Sequence, residues 1–113
     1  MSDNCLFCKI VRGDIPSSKV AETDDAFAFR DIDPKAPTHI LVIPRAHVDS
    51  LAKASDAAML GSLLELAAAV ARSEGLGDDG YRVVINNGPN GGQTVDHLHL
   101  HVLGGRQMTW PPG

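Results

Sequence analysis

Most apolar residues of the chain fall in short runs bounded by turn-forming residues, a pattern that predicts short β-strands. The runs are residues 19–22, 26–30, 39–43, 81–86 and 97–103. In the second run Phe27 and Phe29 alternate with alanines, which places both rings on one face of a strand. The third run is apolar and β-branched and is followed by Pro44, so it predicts a buried strand.

Two segments have helical spacing instead. Apolar positions in residues 5–12, followed by Gly13, predict a short helix. Asp56 follows Ser55, and this pair offers an N-cap for a long helix that extends to about Glu74. A stripe of leucines and alanines recurs along it at positions 60, 63, 64, 67, 68 and 71. The stripe predicts core packing, with a seam between two chains as the second interpretation.

The remaining residues predict turns and loops at positions 15–18, 24–25, 33–37 and 87–93, which are rich in Pro, Gly, Asp and Asn. Several short strands with one long helix between them, rather than repeated βαβ units, favour an α+β fold with an antiparallel sheet and a helix on one face. No repeat or linker divides the 113 residues, so residues 1–113 are expected to form a single domain.

Composition excludes several classes of function. Ten Lys and Arg against fourteen Asp and Glu give a net charge of −4, which argues against a protein that binds nucleic acid along its backbone. The apolar run at residues 66–71 is far too short to cross a membrane. Residues 1–4 lack the basic and apolar segments of an export signal. We therefore expect a cytoplasmic protein that binds neither nucleic acid nor a membrane.

Three histidines, His97, His99 and His101, alternate with large apolar residues. On a strand they share one face, roughly 6 to 7 Å apart from one to the next. A solvated histidine patch does not fit such apolar neighbours. The arrangement suits either a metal site or the binding of, and attack on, a phosphoryl group. The loop before it contains glycines and uncharged donors, among them Asn86 and Thr94, which favours the phosphate interpretation.

Cys5 and Cys8 form one Cys-x-x-Cys pair. In a reducing compartment such a pair binds a metal or acts as a redox pair, and the redox motif usually follows a strand in a βαβ unit, which this pattern lacks. Two cysteines supply half of the four ligands that a tetrahedral zinc ion requires. The other interpretation is a pair of buried thiols.

The sequence His-Leu-His-Leu-His-Val-Leu at 97–103 resembles the signature of the histidine triad (HIT) superfamily. Residues 91–95 and 104–113 resemble its HINT branch, the histidine triad nucleotide-binding proteins, as do residues 31–34, 36–39 and 41–47. The resemblance implies a HIT-like fold, with a sheet of about five antiparallel strands, one long helix and one short helix. It also implies a two-fold homodimer whose sheets join into ten strands.

The same resemblance implies an activity, the hydrolysis of a purine nucleotide such as AMP or GMP linked to an amine, through a nucleotidyl-histidine intermediate. His99 would be the nucleophile and His101 would bind phosphate oxygens. Thr94 stands where the branch usually has a serine near the leaving group. His39 would belong to the proton-handling network.

The resemblance further implies a nucleotide site. Its apolar slot for the base would consist of Phe7, Ile10, Ile15, Phe29, Ile32 and Leu41. Asp31 would bind the ribose hydroxyls, while the loop residues Asn86, Gly92 and Gln93 would hold the phosphate and ribose side. Trp110 belongs to a C-terminal segment that reaches the partner's active site in this branch. A nucleotide-binding module without useful hydrolysis and a dinucleoside polyphosphate hydrolase are the alternative functions.

This chain resembles many bacterial members of the superfamily, which hold zinc with two cysteines, a histidine after the third strand and the first triad histidine. For this chain the resemblance implies a structural zinc site of Cys5, Cys8, His47 and His97, and no metal is needed for the chemical step. Asp96 departs from the aromatic residue common in animal members. We expect it on the surface, and the alternative interpretation is that it accepts a hydrogen bond from His97.

Overall fold

A five-stranded antiparallel sheet with helices packed against it makes up the part of the chain described by this computed structural model, residues 4–113. Residues 1–3, on which part of the expectation about an export signal rests, lie outside the described residues. In chain order the elements are α1 (Leu6–Arg12), β1 (Lys19–Glu22), β2 (Ala26–Arg30), β3 (Thr38–Pro44), α2 (Ala57–Ser73), β4 (Tyr81–Ile85), α3 (Gly88–Gly91) and β5 (Leu100–Gly104). A short 3-10 helix, Leu51–Lys53, precedes α2.

The strands lie in the order β1-β2-β3-β5-β4, so β3 and β5 are adjacent at the centre of the sheet. Leu41 on β3 faces His101 on β5, and Val42 faces Leu100. This register brings residues from two distant parts of the chain to one place. The predicted α+β fold with a five-stranded antiparallel sheet is confirmed.

Alternation along the strands divides the apolar residues between two faces of the sheet. One face packs against α2 and includes Ala28, Val42 and Val102. The other face packs against α1 and includes Phe27, Phe29 and Leu41, so the predicted placement of both phenylalanines on one face is confirmed. The core under α2 is purely apolar, whereas the histidines belong to the α1 side.

The long helix begins where the sequence predicts. Asp56 is its N-cap, and its carboxylate accepts a hydrogen bond from the backbone N–H of Met59 at 3.1 Å. Leu63, Ala67 and Ala71 from the predicted stripe are buried against the sheet. Within residues 4–113, no helix has the length and hydropathy needed to cross a membrane.

The last strand begins at Leu100, so the prediction that it starts at residue 97 is wrong. In the register of the sheet, residue 98 would face Pro44, which has no N–H to continue the ladder. The backbone N–H of Leu98 instead donates to the carbonyl of Val48 at 2.7 Å. The predicted strand 81–86 ends one residue earlier, at Ile85.

The loop predicted at residues 87–93 contains a one-turn helix, α3. Glycine-rich sequence predicts no helix, but Asn87 provides an extended N-cap and Pro89 lies in the first turn. Gly92 ends the turn with a φ of 81°, a conformation that glycine adopts without strain. This turn shapes the segment that leads into the histidine run.

Candidate functional site

A cavity of about 660 Å³ opens on the face of the sheet that carries α1. Its apolar lining includes Leu6, Phe7, Ile10, Ile15, Phe29, Ile32 and Leu41. Its polar lining includes Asp31, His39, Asn86, Thr94, His99 and His101. An apolar pocket with a few converging polar groups is the usual form of a small-molecule site.

The cavity brings together most of the residues that the resemblance implies for a nucleotide site. Ile32 lies at its rim and is 99% exposed. Among the described residues, Gly92, Gln93 and Trp110 are not part of the lining. Trp110 is 81% exposed, with the Arg82 guanidinium 5.9 Å from its ring.

Gln93 braces the loop instead of facing the cavity. Its amide nitrogen donates to the carbonyls of Asp49 and Val95, at 2.7 Å and 3.0 Å. Its amide oxygen accepts from the backbone N–H of Gly88 at 3.0 Å. These bonds tie α3 to the segment that enters the histidine run, so Gln93 positions the loop.

His99 has a tautomer set by the backbone. Its Nδ1 lies 2.7 Å from the carbonyl oxygen of His97, and a carbonyl can only accept a hydrogen bond, so Nδ1 carries the proton. The neutral ring then has a lone pair on Nε2. Only 5% of the residue is exposed, and its ring meets the edge of Phe7 with 5.1 Å between centroids.

A chain of hydrogen bonds fixes the tautomers of His39 and His101. The backbone N–H of Lys35 donates to Nδ1 of His39 at 3.0 Å, which leaves the proton of the neutral ring on Nε2. That Nε2 lies 2.9 Å from Nδ1 of His101 and 3.4 Å from a carboxylate oxygen of Asp31. His101 therefore accepts at Nδ1 and carries its own proton on Nε2.

The Nε2 atom of His101 is buried and has no hydrogen-bond partner among the described residues. Buried donors are nearly always satisfied in folded proteins, so an unpaired one in the lining of a cavity marks a place for a ligand acceptor. A phosphate oxygen is an acceptor of this kind.

Burial, together with the nearby rings of His99 and His39, lowers the pKa of His101 to about 4. Burial also lowers the pKa of His39, although Asp31 opposes this shift. Both rings are therefore neutral at pH 7. A neutral His101 still donates through Nε2–H without burying a charge.

Asp31, His39 and His101 place three potential ligand atoms within 4.8 Å of one another. The Lys35 N–H at His39 argues against a metal there, because it requires the proton on the same Nε2 that would have to bind the ion. The geometry fits a series of hydrogen-bond donors better than a metal centre. We call this series, from the Lys35 N–H through His39 to His101, the relay.

A second cluster consists of Cys5, Cys8, His47 and His97, whose ligand atoms lie within 4.8 Å of one another. Nδ1 of His97 is 3.3 Å from the sulfur of Cys5 and 3.6 Å from that of Cys8. Nδ1 of His47 is 3.3 Å from the sulfur of Cys8. In a tetrahedral zinc site with ordinary bond lengths, sulfur and nitrogen ligands lie about 3.6 Å apart.

Both histidines of the cluster present Nδ1 to the sulfurs because their other nitrogen is engaged. Nε2 of His97 lies 2.9 Å from the carbonyl oxygen of Pro44, and Nε2 of His47 lies 2.6 Å from the carboxylate of Asp49. Such outer partners fix the tautomer needed for metal binding. The donor set and its surroundings therefore fit a zinc ion.

The thiols of the cluster are shielded from water. Cys8 and His97 are fully buried. Burial raises the pKa of Cys5, although backbone N–H groups oppose the shift. Metal binding requires thiolates, so it must release protons from this cluster.

Three groups that support these sites were missed by sequence reasoning: the backbone N–H of Lys35 and the carbonyls of Pro44 and His97. Backbone groups have no signature in the sequence. Nε2 of His97 bonds to the Pro44 carbonyl, so the alternative interpretation that Asp96 accepts from His97 is wrong. Asp96 is exposed, as expected.

The HIT domain family model matches residues 12–108 of the chain. The 14 kDa zinc-binding protein of Zea mays is 55% identical over 112 residues, which cover 96% of this chain and 87% of that protein. A HIT family hydrolase from Legionella pneumophila matches with a TM-score of 0.95 and 52% identity, covering 97% of this chain and 100% of the other. A histidine triad nucleotide-binding protein from Candida albicans matches with a TM-score of 0.83 and 37% identity, covering 88% and 73% of the two chains. The resemblance in the sequence is confirmed, and the chain belongs to the HIT domain family.

Proposed function

We propose that this protein hydrolyses purine nucleoside phosphoramidates, in which AMP or GMP is joined to an amine, through a nucleotidyl intermediate on His99. One observation carries the proposal. The ring centroid of His99, whose Nε2 carries a lone pair, lies 5.0 Å from that of His101, whose Nε2–H has no partner in residues 4–113. A nucleophile beside a donor for a phosphate oxygen is the minimum that phosphoryl transfer needs. Relatives described as hydrolases and as nucleotide-binding add support.

The first step forms a bond between Nε2 of His99 and phosphorus while the bond from phosphorus to the amine breaks. The amine leaves with the electron pair and takes up one proton from a solvent water molecule in the open cavity, which becomes hydroxide until the second step returns a proton. As Nε2 gives up its lone pair the ring becomes positive, and the hydrogen bond from Nδ1 to the His97 carbonyl stabilises that charge. His101 donates to an oxygen on phosphorus, where negative charge grows.

The second step releases the nucleotide. Water attacks phosphorus, the bond to His99 breaks, and the electron pair returns to Nε2. The proton that the water loses replaces the one that the amine took up. The neutral His101 and His39 remain donors through both steps, so the relay needs no change of protonation.

The apolar part of the cavity is the proposed slot for the base. Phe7 and Phe29 meet edge to face with centroids 5.5 Å apart, and both are buried. Leu41, also buried, lines the same space. Flat apolar walls suit a purine ring. The carboxylate of Asp31, fixed by the N–H of Asp33 at 2.9 Å, is the proposed acceptor for the ribose hydroxyls.

Zinc is the proposed occupant of the cluster formed by Cys5, Cys8, His47 and His97. The ion would link α1, which supplies one sulfur from Cys8 and the other from its N-cap Cys5, to the segments that follow β3 and precede β5. It would act on structure, because its ligands leave both His99 and His101 free for the phosphoryl group. The relative named as a zinc-binding protein is consistent with this assignment.

We also propose a two-fold homodimer whose sheets join into ten strands. Edge strands β1 and β4 each have one unpaired side in the described residues, and an exposed edge favours pairing with another chain. By resemblance to the HINT branch, Trp110, which is exposed in the single chain, would lie near the partner's cavity. Light scattering after gel filtration should give about 24 kDa, twice the 12.0 kDa of one chain.

The test of the activity is turnover of an adenosine phosphoramidate that carries a fluorescent amine, followed by quenching in alkaline denaturant, which preserves a P–N bond to histidine, and mass spectrometry. We expect turnover and an AMP adduct on the peptide that contains His99. His99→Ala should lose both, whereas Lys53→Ala, on the exposed 3-10 helix, should retain both. Tight AMP binding without turnover on several phosphoramidates would indicate a binding module, and a preference for dinucleoside polyphosphates would indicate that alternative activity.

A further inference from the structure

Arg106 reaches across from the segment after β5 to the loop that precedes β3. Its Nε and Nη2 atoms lie 3.2 Å and 3.1 Å from the same acceptor, the carbonyl oxygen of Lys35. The backbone of Lys35 is therefore held at both ends. Its carbonyl accepts from Arg106, and its N–H donates to Nδ1 of His39.

We propose that Arg106 is a positioning residue for His101, acting through the backbone of Lys35 and the ring of His39. The consequence for turnover rests on the function proposed above, whereas the effect on the rings does not. Each link in the chain is a hydrogen bond with a defined donor. Arg106 fixes Lys35, Lys35 fixes the tautomer of His39, and His39 fixes the tautomer of His101.

The approach of Arg106 to the loop is built into the backbone. Gly105 has a φ of 91°, and a Cβ atom placed on it would lie 2.9 Å from Cβ of Pro37. A side chain at this position would push the two segments apart and strain the backbone. The close contact between Gly105 and Pro37 keeps Arg106 within reach of Lys35.

Loss of this anchor has a definite chemical result. When the Lys35 N–H no longer points at Nδ1, His39 can carry its proton on Nδ1 and leave Nε2 as an acceptor. His101 must then donate from Nδ1, so its Nε2 loses the proton. The atom that should donate to a phosphate oxygen becomes an acceptor and repels it.

The side chain of Lys35 does not take over the role of Arg106. Its ammonium group is paired with the carboxylate of Asp33 at 2.6 Å and is exposed. Other arginines hold backbone carbonyls without touching the relay. Nε of Arg45 donates to the carbonyl of Thr23 at 2.9 Å, so Arg45 is a matched control.

The experiment compares Arg106→Gln, Arg106→Lys, Gly105→Ala and the control Arg45→Gln with the unchanged protein. Nitrogen-15 NMR of the imidazole rings reports the tautomers of His39 and His101, and hydrogen exchange reports the Lys35 amide. Turnover of the adenosine phosphoramidate is measured on the same samples. The NMR measurement needs no substrate, so it is independent of the proposed function.

Arg106→Gln should move part of His101 to the Nδ1–H tautomer, speed exchange of the Lys35 amide and lower kcat roughly tenfold, with a smaller change in KM. Gly105→Ala should act in the same direction. Arg106→Lys retains a donor, so its tautomers and kcat should fall between those of wild type and Arg106→Gln. Arg45→Gln should leave the tautomers and kcat unchanged.

Unchanged tautomers in both Arg106→Gln and Gly105→Ala, with both proteins folded, would overturn the positioning role while leaving the proposed activity intact. A tautomer shift in a protein without phosphoramidate turnover would support the positioning role and reject the proposed activity. If Arg45→Gln loses as much kcat as Arg106→Gln, the effect of Arg106→Gln reflects a general loss of stability, and the proposal is contradicted.

Discussion

His97 and His99 are joined by a hydrogen bond of 2.7 Å from Nδ1 of His99 to the carbonyl oxygen of His97. The side chain of His97 belongs to the cysteine–histidine cluster, whereas its carbonyl sets the tautomer of the proposed nucleophile. Phe7 meets both rings edge to face, at 5.9 Å and 5.1 Å between centroids. His97 therefore connects the cysteine–histidine cluster to the proposed reacting nitrogen through its own backbone.

The first prediction concerns metal content. Protein purified without a histidine tag should contain close to one zinc ion per chain by elemental analysis. Cys8→Ser should lose the ion and lower Tm by roughly 10 °C or more, because metal binding contributes directly to folding free energy. Since His97 links the cluster to His99, the same variant should also lose turnover.

The matched control for the metal prediction is His99→Ala, which should retain zinc and lack turnover. Zinc bound equally well by Cys8→Ser, or no zinc in reduced and chelator-free wild-type protein, would contradict the assignment.

The second prediction concerns the protonation of His101. Its pKa of about 4 lies below the ordinary value of about 6.5 expected in the unfolded chain. Between these values the unfolded state binds a proton that the folded state does not, so stability rises with pH across that window. The contribution of neutral His101 to the free energy of unfolding is present in full above pH 6.5 and is lost as the pH falls to about 4.

Two measurements check this prediction. An NMR titration should place the His101 midpoint near 4, and urea denaturation should give a slope of stability against pH that is shallower in His101→Gln than in wild type. A His101 midpoint near 6.5 would contradict both the burial of the ring and the relay.

The third prediction concerns the leaving group. Thr94 lines the cavity, and we propose that its hydroxyl passes a proton to the departing amine. Thr94→Val removes the hydroxyl at similar volume and should lower kcat on the order of tenfold or more for strongly basic amines, which need a proton to leave. Weakly basic aromatic amines should be affected much less.

Thr94→Ser keeps the hydroxyl and is the control for the leaving-group experiment, with kcat expected within about twofold of wild type. A loss in Thr94→Val that is the same for every amine would assign the residue to binding or folding instead.

The sequence predicted correctly those structural features that depend only on residues near one another in the chain. Alternation around Phe27 and Phe29 and the cap at Asp56 depend on nearest neighbours, and both were predicted correctly. The start of β5 depends on whether Pro44, far away in the chain, can continue the ladder, and that requires the register of the sheet. α3 was missed because glycine disfavours helices and gives no signal for a single turn.

The candidate site divides in the same way. Side chains that could ligate a metal or attack phosphorus are visible in the sequence as Cys-x-x-Cys and His-x-His-x-His. Their tautomers are not visible, because Lys35, Pro44 and His97 act through backbone groups that every residue type possesses. Arg106 carries no motif for its role either, since its target is a carbonyl oxygen.

The last prediction tests the packing under the sheet with one chemical change at two glycines. A Cβ on Gly104 would lie 2.5 Å from Cδ1 of Leu76, a buried side chain, whereas a Cβ on Gly61 in α2 would meet nothing within 4 Å. Gly104→Ala should therefore destabilise the protein by about 1 to 3 kcal/mol through overpacking. Gly61→Ala should stabilise it by about 0.5 to 1 kcal/mol, because alanine is the better helix former.

Urea denaturation of both variants and of Gly104→Ala combined with Leu76→Ala separates overpacking from other causes. If the clash with Leu76 is responsible, the combined variant should be more stable than the sum of the two single losses implies, because Leu76→Ala removes the atoms that the new methyl group meets. Strict additivity would trace the loss to the backbone of β5, and a Gly104→Ala protein as stable as wild type would mean that Leu76 moves aside without cost.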